Sequence, residues 1–164
     1  MEQTVQQKNK YSAPFQTYVY AVFALFSIVI IFDFVLPGTL VNEGIKQIKR
    51  VQERYYNGGG NSHYSFHLVM QEREFAVAEG FAKRVHAGDQ IEYTLSPLFS
   101  EVNWCRKPPS TDKSFYVLRL LSGLAIPLFT LLSLVLEYRY KMKIDIAVFI
   151  LQVLLVADLV YLIL

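Results

Sequence analysis

Apolar positions fall into three long, nearly unbroken runs, and between the first two lies a stretch with a much shorter rhythm. The runs occupy residues 14–37, 115–136 and 144–164. Their apolar cores, Phe15 to Leu36, Phe115 to Leu136 and Ile144 to Leu164, are each about 21 or 22 residues long. As helices they reach roughly 32 Å, enough to cross a hydrocarbon layer of about 30 Å. Backbone in lipid must satisfy its own hydrogen bonds, so the runs predict three transmembrane helices. The first run exceeds the length of a secretory h-region. Phe32-Asp33-Phe34-Val35-Leu36-Pro37 offers no small-x-small cleavage site, so a retained anchor is expected.

Residues 38–114 predict a small module inserted between helices 1 and 2. Ile45, Ile48, Val51 and Tyr55 recur at spacings of three, three and four. That spacing predicts an amphipathic helix over 42–56, stopped by Asn57-Gly58-Gly59-Gly60. Its basic residues, Lys46, Lys49, Arg50 and Arg54, would face water or lipid headgroups. From His63 the period becomes two. Tyr64, Phe66, Leu68 and Met70 share one face; His63, Ser65, His67 and Val69 share the other. A second strand is expected from Phe75 through Phe81 toward Val85. A turn follows at His86-Ala87-Gly88-Asp89, then a third strand carrying Ile91, Tyr93 and Leu95. A last strand is expected between Leu98 and Trp104, and Arg106-Lys107-Pro108-Pro109-Ser110 returns the chain to the membrane. The expected fold is an α-helical integral membrane protein with a four-stranded, barrel-like or sandwich-like α+β module.

Composition agrees with immersion in lipid. Of 164 residues, 53% are hydrophobic and only 18% charged, against about a quarter charged in soluble domains. A net charge of +2 argues against a nucleic-acid binder and an acidic disordered chain. The single cysteine, Cys105, rules out an internal disulfide framework or a zinc site built on cysteine pairs.

Charge also orients the chain. Lys8 and Lys10 precede helix 1, and Arg139, Lys141 and Lys143 occupy the turn at 137–143. The positive-inside rule makes those two flanks cytoplasmic. The expectation is a multi-pass plasma (inner) membrane protein. Its tail at 1–13 is cytoplasmic, and residues 38–114 and the C-terminus are extracytoplasmic. The insert's own cations do not count, because it exceeds the roughly 60 residues over which the rule operates.

Candidate chemistry sits inside the spans. Asp33, Arg119 and Asp158 are expected at one depth, roughly 6 to 9 Å below the outer surface, where unpaired charges are costly. Arg119 forking between two carboxylates would clamp the helices. Alternatively, two acids against one base leave a carboxyl able to hold a proton, as a proton or cation path requires. Gly123 and Pro127 predict a bend in helix 2, and Gln152 predicts an interhelical hydrogen bond within the chain or to another subunit. No metal or cofactor is expected. His63 and His67 would stand about 13 Å apart on a strand, Gly58-Gly59-Gly60 lacks the Gly-Lys-Ser/Thr ending of a phosphate loop, and Cys105 reads as an inert thiol. Glu72, Glu74, Glu79 and Glu92 form no acid–base pair.

These features lead to a non-enzymatic, membrane-anchored accessory or scaffold subunit of an envelope protein complex, with the module as its protein-interaction surface. Membrane lipid, other membrane or periplasmic proteins and a second copy of the chain are the expected partners; nucleic acid is not. The alternatives are an oligomeric transporter or ion-conducting protein using Asp33, Asp158 and Gln152, and a membrane enzyme acting on lipid or cell-wall precursors through His67 or His86.

Overall fold

The computed structural model describes residues 2–54 and 62–163, with side chains at 15–52 and 64–163. The side chains of Lys8, Lys10, Arg54 and His63, and the whole of Tyr55 and the Gly58-Gly59-Gly60 stop, lie outside what the structure describes. The chain divides into a helical unit, Met1–Val35 with Ser122–Leu164, and a β unit, Leu36–Leu121.

Three helical stretches are long and apolar enough to cross a membrane: Phe15–Val35, Val117–Tyr140 and Asp145–Ile163. Together with two small antiparallel sheets they fit a multi-pass membrane protein carrying a β module. The first stretch is part of α1 (Glu2–Val35), so the helix continues N-terminally of the span. The second comprises α3 (Val117–Leu120), a π-helical turn at Leu121–Ala125 and α4 (Ile126–Tyr140); the third is α5 (Asp145–Ile163).

Within the helical unit, α4 packs against both α1 and α5. The inward stripes are polar where lipid-facing surfaces are not. On α1, Ser27, Ile30 and Asp33 are fully buried at intervals of three. On α4, Pro127, Thr130, Ser133, Leu134 and Glu137 are buried, and on α5 Val148, Leu155, Asp158 and Leu162. Leucine, isoleucine and phenylalanine dominate the opposite, exposed faces. Membrane bundles sort residues this way because a buried polar side chain can find partners that lipid does not offer. The hydroxyls use their own helices: Ser27 donates to the Phe23 carbonyl, Thr130 to Ile126 and Ser133 to Thr130, each at 2.9 Å.

Among its described residues the β unit holds six strands, not the four expected. β1 (Thr39–Gly44), β5 (Gln90–Leu95) and β6 (Val102–Arg106) form one three-stranded sheet in the order β1-β5-β6. β2 (Gln47–Arg54), β3 (Ser62–Val69) and β4 (Glu74–Val77) form another in the order β2-β3-β4. Where a helix is expected over 42–56, the described residues 42–54 belong instead to two strands and the link between them. The apolar spacing arises because Ile45 sits in the link between sheets, while Ile48 and Val51 lie on opposite faces of β2. Pairing with β3 and β5 overrides the local pattern. The link is fastened on both sides: Ile45 donates its N–H to the Asp89 carbonyl, and Lys46 donates to Val69, each at 2.9 Å.

The strand expected to run on through Phe81 stops at Val77, where a short α2 (Glu79–Ala82) begins. Val77, Phe81 and Val85, four residues apart, are all buried. The turn at His86–Asp89 exists, but it does not join a hairpin, since β4 and β5 belong to different sheets. The last strand starts at Val102 rather than near Leu98. Both sheets contribute to one core: Leu68, Met70 and Val77 meet Ile91, Tyr93 and Cys105, with Ile45, Phe81, Ala82 and Val85 filling the sides.

Two titratable groups in this core make its stability alkali-sensitive. Burial pushes the Cys105 thiol up to about 12. Burial and a hydrogen bond to the Glu43 carboxylate, at 2.8 Å, push the Tyr93 phenol up to about 12. Both keep their protons, folded or unfolded, at neutral pH. As pH rises past the ordinary values of 9.0 and 10.0, the unfolded chain releases its protons first, so stability falls until the folded values are reached. Chemical denaturation at increasing pH should show the module losing about 4 kcal/mol by about pH 11. An unchanged midpoint would contradict the burial of these groups.

Candidate functional site

The intramembrane residues singled out by sequence divide between the units. Asp33, 0% exposed, lies on the inward stripe of α1, and Asp158, 7% exposed, on that of α5. Both belong to the helical unit. Arg119, 5% exposed, belongs to the β unit, where its Nε donates to Asn103 Oδ1 at 2.9 Å. Asn103 lies on β6, so α3 is tied to the sheet by a charge-assisted hydrogen bond that the sequence did not suggest.

Pro127 and Gly123 act at the same place. Proline cannot donate to the carbonyl four residues back, which is that of Gly123, and the π turn at Leu121–Ala125 accommodates the break. Gly123 also admits the Phe34 ring: a Cβ there would stand 2.5 Å from Phe34 Cδ2. Gln152 is half-buried, and its Nε2 has no hydrogen-bond partner among the described residues.

One buried acid escaped the sequence reading. Glu137 falls in the basic turn expected after helix 2, yet it is 7% exposed and inside α4. Tyr20 Oη donates to its Oε1, and Gln16 Nε2 donates to the same oxygen at 3.2 Å. The signal was available: Thr130, Ser133 and Glu137 follow at three and four residues, a polar stripe on one helix face.

On the β unit, the core-facing side of β3 emerges gradually into solvent. Leu68 is fully buried, Phe66 half-buried and Tyr64 43% exposed. Arg50, paired with Phe66 across the strands, lays its guanidinium 3.5 Å from the Tyr64 ring centroid. The result is a ledge of aromatic and cationic surface continuous with the core. Trp104 carries a similar contact, with Lys113 Nζ 4.3 Å from its ring.

The histidines have acidic neighbours. His67 Nδ1 lies 3.6 Å from Glu74 Oε1, and His86 Nδ1 lies 3.8 Å from Asp89 Oδ2. Asp89 has other donors: hydrogen bonds from Lys107 and from the His86 backbone N–H hold its carboxyl below the usual carboxylate range. It fastens the turn between α2 and β5. Glu74 similarly pairs with Lys49 across β2–β3–β4. Among the described residues, no group of three or more His, Cys, Asp or Glu is arranged to hold a metal ion.

No protein-family model matches the chain, and no curated protein or solved structure is detectably similar to it.

Proposed function

We propose that the chain is a non-enzymatic accessory or scaffold subunit of an envelope protein complex, held in the plasma membrane by three helices. In this reading residues 38–114 stand outside the cytoplasm and offer the partner surface. The observation that carries it is the ledge at Arg50, Tyr64 and Phe66. A core face continues past its own covering there, and tyrosine and arginine are the residue types on which binding energy concentrates at interfaces. The basic residues at 139, 141 and 143 support the orientation.

Two experiments test this reading. A photo-crosslinking residue at Tyr64, introduced in intact cells, should give a discrete protein adduct that Arg50→Glu removes. The same probe at Lys83, 67% exposed at the end of α2, should give none. Equal labelling at both positions, or none, would refute the ledge as an interface. A membrane-impermeant maleimide should label Lys83→Cys in intact cells but reach Lys143→Cys only after permeabilisation. The native Cys105 is buried and should stay silent.

A second reading, an oligomeric transporter or ion-conducting protein, draws support from three carboxylates, Asp33, Glu137 and Asp158, buried inside the helical unit. Ion flux into liposomes that is unchanged by Asp33→Asn and Asp158→Asn would eliminate it.

A further inference from the structure

The helical unit contains a cavity of about 280 Å³ at the end of the spans where α4 turns back into α5. Four charges line it: Glu137 and Asp145, and Lys141 and Lys143. Their sum is zero, with two of each sign. Glu137 is the buried member. Its Oε1 accepts from Tyr20 and Gln16, while its Oε2 is buried without a hydrogen-bond partner among the described residues. A buried carboxylate oxygen with no donor is costly to leave so, and a bound N–H donor would remove that cost.

A second hollow, about 250 Å³ and almost wholly apolar, runs along α1 and α4. Ala21, Ala24, Leu131, Leu134 and Val135 line it. It shares Thr17, Tyr20 and Tyr138 with the charged cavity, so the two adjoin at these residues. The charged part lies at the end of the spans and the apolar part extends into them. Small residues on α1 open the groove, and Tyr20 and Tyr138 mark the junction, as amphipathic rings do at a membrane interface.

The geometry points to a binding site for a single zwitterionic phospholipid whose head is phosphoethanolamine. Its ammonium meets Glu137, its phosphate meets Lys141 and Lys143, and one acyl chain lies in the Ala21–Ala24 groove. A simple anion would face two carboxylates, and a simple cation two ammonium groups; a zwitterion satisfies both pairs. A primary ammonium brings N–H donors for Glu137, which a quaternary choline head lacks. The apolar groove favours a lipid over a free headgroup. The site stands independently of the β unit and of any role assigned to it.

Native mass spectrometry of the full chain in mild detergent tests the site, with phosphatidylethanolamine, phosphatidylcholine and phosphatidylglycerol of matched chains as probes. One phosphatidylethanolamine should be retained at about tenfold higher affinity than either competitor. Glu137→Gln should bring it down to the phosphatidylcholine level, and Lys141→Ala with Lys143→Ala should weaken both lipids. Ala21→Phe fills the groove from an exposed position, keeps all four charges and should abolish retention of all three lipids. That variant keeps the test decisive should Glu137→Gln fail to fold. Equal retention of the three lipids overturns the proposal, as does retention unaffected by Ala21→Phe. Free phosphoethanolamine competing as strongly as the lipid would overturn the assignment of the groove.

Discussion

Gly38→Ala is expected to destabilise the β module by about 3 kcal/mol. The cause is contact rather than conformation. A Cβ at this position would stand 1.9 Å from the Leu95 carbonyl oxygen and 2.7 Å from its carbon. Both are backbone atoms of β5, and Thr39, the next residue, pairs with Leu95 in the sheet. No rotamer change can relieve such an overlap; β1 must move away from β5. Hydrogen–deuterium exchange should show the β1, β5 and β6 amides losing protection while those of the spans keep theirs. Gly80→Ala provides the contrast. No atom lies within 4 Å of its added methyl, and its place in α2 lets alanine favour the helix by roughly 0.5–1 kcal/mol. Equal effects at the two glycines would show that β1 does not approach β5 as described.

Leu68→Ala should cost a comparable amount or more, about 2–5 kcal/mol. Leu68 is fully buried where the two sheets meet, in a core of ten buried hydrophobic residues. A domain's whole stability is typically about 5–15 kcal/mol, so this truncation should remove a large share of the module's stability. Pulse proteolysis should cut between residues 38 and 114 at denaturant concentrations that leave the parent chain intact. Tyr64→Ala, two positions farther from the core on the same face as Phe66, removes an exposed ring. It should shift stability by well under about 1 kcal/mol while eliminating the crosslink site.

What the sequence disclosed follows from how strongly each environment selects residues. Lipid tolerates so few polar groups that the spans stand out by composition alone. β3 and β5 alternate cleanly because one face of each is buried. β2 is an edge strand, and its polar residues Lys49, Arg50 and Gln52 carry little alternation. Combined with Ile45 in the link, it imitates a helical spacing. The short α2 was hidden because Phe81 continues the apolar character of β4, although Phe81 and Val85 already stood four apart. Asp33 and Asp158 stand out in the sequence as acids inside apolar runs. The burial of Glu137 was marked only by the stripe it forms with Thr130 and Ser133, and neighbouring Arg139, Lys141 and Lys143 made the segment resemble a solvated turn. The Arg119–Asn103 contact joins residues 16 positions apart on different elements, and no spacing rule connects them.

The pairing of β1 with β5 sets an order on biosynthesis. The first strand to leave the ribosome after α1 finds its partner only once residue 95 has followed residue 39, whereas β2, β3 and β4 complete their sheet from contiguous chain. Closing that distant contact is the entropically expensive step. The nascent protein therefore carries an unpaired ribbon after its first apolar helix until residue 95 has emerged, an interval in which chaperone protection counts most.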